Sequence, residues 1–440
     1  MTRTLPKVFA VRFTDLERWD PASFHQIDWH WPEKEMTPIG SLLEVRKEKV
    51  DRSQYAFSEL QPITIHFDGS IERRKVAPGC EYTMTLFFAY PGDIIVSKID
   101  LKNGAVAIVP ERWENVVVTN HFAVYKPDRS RLVPEYFHRL IQTNFFKDYL
   151  WRNKVGAEGR KEVKLDFFES IEIPLPPLLV QEAIVARWQQ AQMERQAARV
   201  ALQTVIDDLN TALYAHYYAH RQNDVLRRRW LVMDWKDLGC WDVKTARATA
   251  FRLATPIFEP LGNFVEEATE LVKPWDEPEK DWPVYGVNNK EGVFFSYYQK
   301  GQAFNAPYKR ICKDWFFHNP TRSSVGSLGI VPDVPEDALT SPEYQVWRIK
   351  HGLIPGYVDV LINTPFFIEL IQFHRVGAVK QRLYVSNLME IPIPTFPLEE
   401  QQRVADARAA ALNRIVLAEQ DAAKVATEVE ALILGTRSLS

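Results

Sequence analysis

Cysteine is scarce in this chain: its 440 residues include three, Cys80, Cys240 and Cys312, which lie far apart without any CxxC or Cys/His pairing. Neither a disulfide framework nor a structural zinc site is therefore predicted. Long apolar stretches are missing as well, since no uninterrupted run could cross a bilayer and the first 20 residues lack the apolar core of a signal peptide. We expect a reducing, cytoplasmic location and no membrane association.

The motifs of common nucleic-acid enzymes and motors are also absent. No GxxxxGKS or GxxxxGKT segment occurs. A methyltransferase would need a Gly-rich cofactor loop and a polar-Pro-Pro-aromatic loop, but the HNPT segment from His318 lacks the second proline and the aromatic that stacks on a flipped base. The EVK triplet from Glu162 matches a nuclease fragment that is common by chance, and His216 with His220 lacks a third metal ligand. We predict no catalytic residue, and no metal or cofactor bound by this chain.

The net charge of -3 argues weakly against a protein that grips nucleic acid alone, because non-specific affinity comes largely from Lys and Arg neutralising phosphates. Charge can still be local, and a partner could supply much of the phosphate contact. With 46% hydrophobic and 12% aromatic residues, the chain can bury sizeable cores, and its length favours two or three domains.

The two halves of the sequence resemble each other. Segments recur in the same order at offsets of 218 to 222 residues: DLERWD from Asp15 and DLGCWD from Asp237, PIGSLLE from Pro38 and PLGNFVE from Pro260, VPEYFHRLIQTNFF from Val133 and IPGYVDVLINTPFF from Ile354, EIPLP from Glu172 and EIPIP from Glu390, and Gln181 and Gln401. Unrelated domains that share common turn residues are the alternative. Because the offset is about half the length, we predict a tandem duplication into two domains rather than a stack of short repeats.

Each half divides into a mixed body and a long helix. Short β-branched runs such as DIIVSKI from Asp93 predict strands, and the apolar spacing after Glu135 predicts a helix, so each body is predicted to be an α+β domain. A Pro-rich exit then leads into a polar, Ala-rich stretch that predicts a helix on the order of 60 Å long. The predicted domains are residues 1–177 and 226–397, and the predicted long helices lie within 178–225 and 398–440.

The two long helices carry heptad seams in register. The seam residues are Ile184, Trp188, Ala191, Leu202, Val205 and Leu209 in the first helix, and Val404, Ala411, Ile415, Val425, Val429 and Leu432 in the second. Because a sustained heptad needs a helical partner, the other copy is the nearest candidate. The alternative is that each helix packs on its own domain alone.

This arrangement resembles the specificity subunit of type I restriction-modification systems over nearly the whole chain. The likeness is carried by PGDIIVSKIDLKNGAVAIVP from Pro91, VPEYFHRLIQTN from Val133, and the domain exits IEIPLPPLLVQEAIV from Ile171 and MEIPIPTFPLEEQQRV from Met389. One departure is the segment from Lys313, which has lost the Gly-Asp pair, so the resemblance does not fix the loop geometry of the second domain.

The resemblance implies that each body is a target-recognition domain reading one half of a split, asymmetric DNA sequence. It also implies that the helices pair as an antiparallel coiled coil whose length sets the gap. Two adenine methyltransferase subunits would dock on the chain, and two restriction/translocase subunits can join them. S-adenosylmethionine, ATP and Mg²⁺ are then expected in those partners.

We expect the DNA-binding residues to lie in loops that carry Arg or Lys for guanine, Asn or Gln for adenine, and Ser or Lys for phosphates. The first-domain candidates are Lys98, Lys102 and Asn103 in one loop and Arg160, Lys161 and Lys164 in another. Their counterparts by repeat position in the second domain are Arg322, Ser323 and Ser324, and Lys380, Gln381 and Arg382, with Lys309 and Arg310 added on charge alone. An ordinary solvated charge is the alternative for each. For the whole chain, the alternatives are a stand-alone DNA-processing enzyme, such as a divergent nuclease, and a protein-interaction scaffold.

Overall fold

The computed structural model describes residues 26–75, 84–156, 162–221, 225–226, 232, 234, 236, 242–377 and 379–438. The chain divides into two compact units, one formed by Met1–Glu194 with Glu419–Ser440 and the other by Arg195–Ala418. Both are mixed α and β, which confirms the predicted fold class. In the described part of the chain, no helix is long and apolar enough to span a membrane.

The first unit contains three sheets and the helices that follow them. Its strands are β1 (Met36–Pro38), β2 (Leu43–Arg46), β3 (Gln61–Ile65), β4 (Ile71–Arg73), β5 (Leu86–Ala89), β6 (Ile94–Ser97), β7 (Val106–Ile108), β8 (Val116–Thr119), β9 (Phe122–Pro127) and β10 (Glu172–Pro174). Its helices are α1 (Pro134–Ile141), α2 (Asn144–Arg152), α3 (Leu165–Ser170) and the start of α4 (Leu178–His220). The sheet orders are β2-β9-β6-β7, β4-β3-β8-β5 and β1-β10.

The second unit begins within α4, at Arg195, and α5 (Val243–Ala254) follows. Its strands are β11 (Glu259–Pro260), β12 (Val265–Glu267), β13 (Leu271–Val272), β14 (Asp281–Asn288), β15 (Gly292–Lys300), β16 (Tyr308–Arg310), β17 (Phe316–His318), β18 (Leu328–Ile330), β19 (Leu339–Thr340), β20 (Gln345–Ile349) and β21 (Pro392–Ile393). The further helices are α6 (Pro355–Ile362), α7 (Pro365–His374), α8 (Val385–Met389) and α9 (Leu398–Leu434).

The second unit repeats the sheet topology of the first. The order β12-β20-β17-β18 matches β2-β9-β6-β7, and β11-β21 matches β1-β10. In the remaining sheets, the parallel pair β14 and β19 corresponds to the parallel pair β3 and β8. The duplication read from the sequence is therefore present in the strand order, whereas the hairpin β14–β15 is longer than its counterpart β3–β4.

The two long helices run antiparallel. In the first unit, Arg187 near the start of α4 pairs with Glu428 near the end of α9, with Nη2 and Oε2 3.3 Å apart. In the second unit, Val205 and Leu209 late in α4 line a cavity with Val404 early in α9. All twelve predicted seam residues are buried or half-buried, and none is exposed. These contacts exclude packing of each helix on its own domain alone.

A buried glutamine anchors the start of each long helix to its own body. Gln181 is 0% exposed; its Oε1 accepts from the Val133 N–H at 2.8 Å, and its Nε2 donates to the carbonyls of Arg131 and Pro176. Gln401 is 2% exposed and does the same with the Ile354 N–H at 3.0 Å and two carbonyls. Each amide thus satisfies backbone groups that would otherwise be buried unpaired.

The far end of each long helix is held by the other repeat's body. Glu430 late in α9 accepts from the Asn144 N–H at the start of α2, at 3.0 Å. Asn210 late in α4 accepts from the Phe366 N–H at the start of α7, also at 3.0 Å. Both side chains satisfy a free N–H in the first turn of a helix, where a negative charge or dipole is stabilising. Each unit is therefore completed by the helix of the other repeat.

Replacing Gln401 with leucine should lower the free energy of unfolding by about 1–3 kcal/mol, because buried backbone groups lose their partner. The measurement is urea unfolding monitored by circular dichroism. Gln402→Leu is the matched control, since Gln402 is exposed and, among the described residues, its side chain bonds only Asp406 on the same helix. Equal destabilisation by the two variants would show that the buried amide has no special role.

Candidate nucleic-acid interface

A short 3₁₀ turn follows β6 in the first unit and β17 in the second, and the two turns have the same geometry. The turn Leu101–Asn103 ends at Gly104 with φ +86°, and the turn Ser323–Val325 ends at Gly326 with φ +84°. Glycine suits both positions because L side chains rarely adopt such a positive φ. By this alignment Lys102 corresponds to Ser324 and Asn103 to Val325, one position on from the pairing predicted from the sequence.

A second loop joins α2 to α3, and its copy joins α7 to α8. It is closed by a backbone bridge between Val155 and Glu162 in the first unit and between Val376 and Arg382 in the second. Glu162 and Arg382 are therefore equivalent, so a carboxylate in one unit is replaced by a guanidinium in the other. Arg160 and Lys161 lie outside the described residues.

The structure brings three of the predicted lysines of the first unit together around Glu162. Lys164 Nζ donates to Glu162 Oε1 at 2.8 Å, and this hydrogen bond, together with the positive charges of Lys102 and Lys98, lowers the pKa of Glu162. Lys164 is exposed, and the other two lysines are half-buried. Since one carboxylate faces three ammonium groups, the two loops form a locally cationic surface on a chain of negative net charge.

Lys98 and Asn103 form hydrogen bonds at the first turn. Lys98 Nζ donates to the Asn120 carbonyl at 2.8 Å. Asn103 Nδ2 donates to Asp100 Oδ1 at 3.3 Å, and Asn103 remains partly exposed. Both side chains thus form hydrogen bonds within the protein and remain partly exposed.

In the second unit the two loops are joined by Arg375, which the sequence analysis did not single out. Its Nη2 donates to the Gln381 carbonyl at 2.9 Å and to the Thr321 carbonyl at 3.3 Å. The signal that could have found it is the repeat offset, since position 375 corresponds to Lys154, another cation at the end of a helix.

The predicted residues of these two loops differ in accessibility. Arg322, Lys380 and Arg382 are exposed, while Ser324 and Gln381 are half-buried. Ser323 is 0% exposed and its Oγ donates to the Pro320 carbonyl at 3.4 Å, so its hydroxyl does not face the surface.

Lys309 and Arg310 lie elsewhere, on β16. Lys309 Nζ donates to the Tyr344 carbonyl at 2.8 Å, and burial lowers its pKa. Arg310 Nη1 reaches the Glu336 carbonyl at 3.5 Å. Both side chains are half-buried and turned to backbone carbonyls, on a strand rather than on either of the two loops.

Loss of the Gly-Asp pair leaves the corresponding turn unchanged. Gly92 has φ +78° and Asp314, at the matching position, has φ +65°. The Gly92 N–H donates to the Val109 carbonyl at 2.8 Å, and that of Asp314 to the Val331 carbonyl at 3.1 Å. The sequence resemblance had left this geometry open; the structure shows that it is kept.

Three histidines belong to the segments compared above with catalytic and metal-binding motifs. His318 is fully buried, its Nε2 lies 2.9 Å from the Leu383 carbonyl, and burial lowers its pKa to about 4. The rings of His216 and His220 are 4.2 Å apart. Among the described residues, no group of three or more His, Cys, Asp or Glu is placed to hold a metal ion.

Comparison with known proteins gives a family for the segment that contains Lys98, Lys102 and Lys164. Residues 81–193 match the model of the type I restriction modification DNA specificity domain. This match confirms the resemblance predicted from the sequence. No curated protein matches the chain significantly.

Three solved structures align with most of this chain at low sequence identity and low TM-score. The HsdS subunit from Thermoanaerobacter tengcongensis is 14% identical, with 90% of this chain and 95% of that chain covered and a TM-score of 0.33. A structure described as showing complex assembly and conformational transition of the type I R-M system is 15% identical, with 91% and 95% covered and a TM-score of 0.41. The type I restriction-modification S subunit from M. genitalium is 12% identical, with 96% and 100% covered and a TM-score of 0.45. At such low values, the assignment depends on the family match.

Replacing Lys98 and Lys102 with alanine should weaken duplex DNA binding and flatten its salt dependence by up to about two in the slope of log K against log salt, because two positive charges close to the polyanionic duplex are removed. Fluorescence anisotropy across a salt series measures both. Lys126→Ala with Arg129→Ala removes the same charge at the other end of the same sheet and serves as the control. Wild-type affinity and slope in the first variant would exclude this turn from the interface.

Proposed function

We propose that this chain, which carries a type I restriction-modification DNA specificity domain over residues 81–193, is the sequence-specific DNA-recognition subunit of a type I restriction-modification complex. In this proposal the chain is not itself an enzyme, and each unit reads one half of an asymmetric, split target. The observation that carries the proposal is that the loop pair inside the matched domain occurs a second time, with the same turn geometry, in the other unit.

The side chains on the two loop pairs differ, so the two half-sites should differ. Where the first turn carries Lys102 and Asn103, the second carries Ser324 and Val325, and Val325 is 58% exposed. A lysine and an asparagine suit guanine and adenine, whereas an exposed valine suits the methyl group of thymine. A common backbone with different side chains supports an asymmetric target.

We further propose that the antiparallel helices act as the spacer. An antiparallel pair of similar helices has approximate twofold symmetry, and so does duplex DNA, so two similar domains can each present the same face to a major groove about one turn apart. The length of α4 and α9 would then set the gap between the half-sites.

The reaction chemistry would belong to partner subunits. We expect two adenine methyltransferase subunits to dock on the chain, with two restriction/translocase subunits able to join them. S-adenosylmethionine, ATP and Mg²⁺ would be held by those partners. We expect the complex to act in the cytoplasm, where its DNA substrate lies.

Long-read methylation mapping tests this function directly. DNA from cells that express the chain with its methyltransferase partner should carry an adenine-methylated, asymmetric, split motif, and cells lacking the chain should not. Absence of such a motif, with an active methyltransferase present, would favour a scaffold that does not read DNA. Divalent-metal-dependent cleavage by the purified chain would instead favour a nuclease.

Deleting one heptad from both α4 and α9 should change the preferred gap between half-sites without changing either half-site, because the seam register of the antiparallel pair is kept. The same mapping experiment measures the gap. Deleting a heptad from only one helix breaks the register and is the control, for which loss of methylation is expected. An unchanged gap in the double deletion would show that the helices are not the ruler.

A further inference from the structure

A hairpin tip that the sequence analysis did not consider lies against the candidate DNA-binding turn in each unit. In the first unit the β3–β4 tip, residues 66–70, packs on Gly104: a side chain at that glycine would begin 3.0 Å from the Phe67 carbonyl oxygen. In the second unit the β14–β15 tip, residues 288–292, packs on Gly326, where a side chain would begin 3.5 Å from Asn289 Cβ. Each candidate DNA-binding turn is therefore continuous with a hairpin tip.

The second tip presents an unpartnered amide and an unpartnered ammonium group. Asn288 shapes the tip, because its Oδ1 accepts from the N–H groups of Lys290 and Glu291 at 2.8 Å each. Asn289 and Lys290 are both exposed, and within the described part of the chain their side chains have no hydrogen bond or ion pair. These are the side-chain types that read adenine and guanine in the major groove.

The hairpins also differ between the two repeats. The turns at Gly104 and Gly326 share one backbone conformation, but β3 and β4 have 5 and 3 residues, while β14 and β15 have 8 and 9. The first tip carries Phe67, 57% exposed, and Asp68, whose carboxylate accepts from Ser70. A common scaffold that holds hairpins of different length, with tips of different chemistry, is what two different half-sites require.

We infer that Asn289 and Lys290, at the tip of the β14–β15 hairpin beside the 322–326 turn, contact base edges in the half-site read by the second unit. This inference rests on the proposed function and adds a specificity-determining element to it. The occupant is duplex DNA, because the tip is continuous with the candidate interface and the Lys290 ammonium forms no ion pair with any described residue, while the neighbouring carboxylate of Glu291 accepts from Asn288 Nδ2 at 3.2 Å.

The test uses the full chain with its methyltransferase partner. Asn289→Ala with Lys290→Ala should make one half of the methylated motif degenerate, leave the other half unchanged, and weaken binding to the cognate duplex roughly 10-fold. Asn289→Asp keeps the size of the side chain but replaces the amide donor with an acceptor, so it should shift the preferred base in that half-site towards cytosine. Circular dichroism and the melting temperature confirm that each variant is folded.

Asn305→Ala with Lys313→Ala is the matched control. It removes the same two side-chain types from exposed positions at the opposite ends of β15 and β17, and it should leave both half-sites and the affinity unchanged. A wild-type motif and affinity in the tip variants would overturn the inference and leave the proposed function standing. Absence of any split motif from the wild-type chain would remove the proposed function and, with it, this inference.

Discussion

The exchange of helix ends between the two repeats is the constraint on which the rest of this structure depends. Each long helix begins on its own body through a buried glutamine and ends on the other body through a polar side chain at a helix start. Because an antiparallel pair needs the seam residues of both helices to meet in register, each unit is complete only when segments of both helices are in place. Within each unit, the candidate interface is carried on loops of the body that these helix segments complete.

Within each unit, the loops are held by a rigid frame, which is how a recognition surface can tolerate different side chains. Positive-φ glycines and backbone bridges fix the turn and the second loop in both repeats. Residues between these fixed points, such as Lys102 and its counterpart Ser324, differ without altering the backbone. Specificity would then reside in side chains and in hairpin tips, while the frame is shared.

Much of this architecture was predictable from the sequence. The duplication, the α+β bodies and the long helices follow from repeat offset and periodicity, because a heptad or an alternating run reports directly on buried faces. The lysines around Glu162 were found by residue type and loop position. The order of segments in the chain also identified the family, which the match over residues 81–193 bears out.

Other features depend on tertiary packing, which leaves no local signal. Glu430 reads as an ordinary surface residue of a helix, and its partner Asn144 is 286 residues away. Arg375 donates hydrogen bonds to two backbone carbonyls, and no sequence motif marks such a contact. The NNKEG tip reads only as a turn, since nothing in its sequence places it beside Gly326. The turn at Asp314 also depends on tertiary packing, because neighbouring strands hold a non-glycine residue there at a positive φ.

The crossed helix ends also bear on how the chain is made. The body of the first unit is synthesised early, but the segment that covers part of its core, including Val425 and Val429, emerges from the ribosome only after the whole second body. Until then, an apolar face of the first body stays open, and contacts between residues so distant in sequence form slowly. The nascent protein would therefore pass through a long interval in which chaperones or a waiting partner subunit could shield that face.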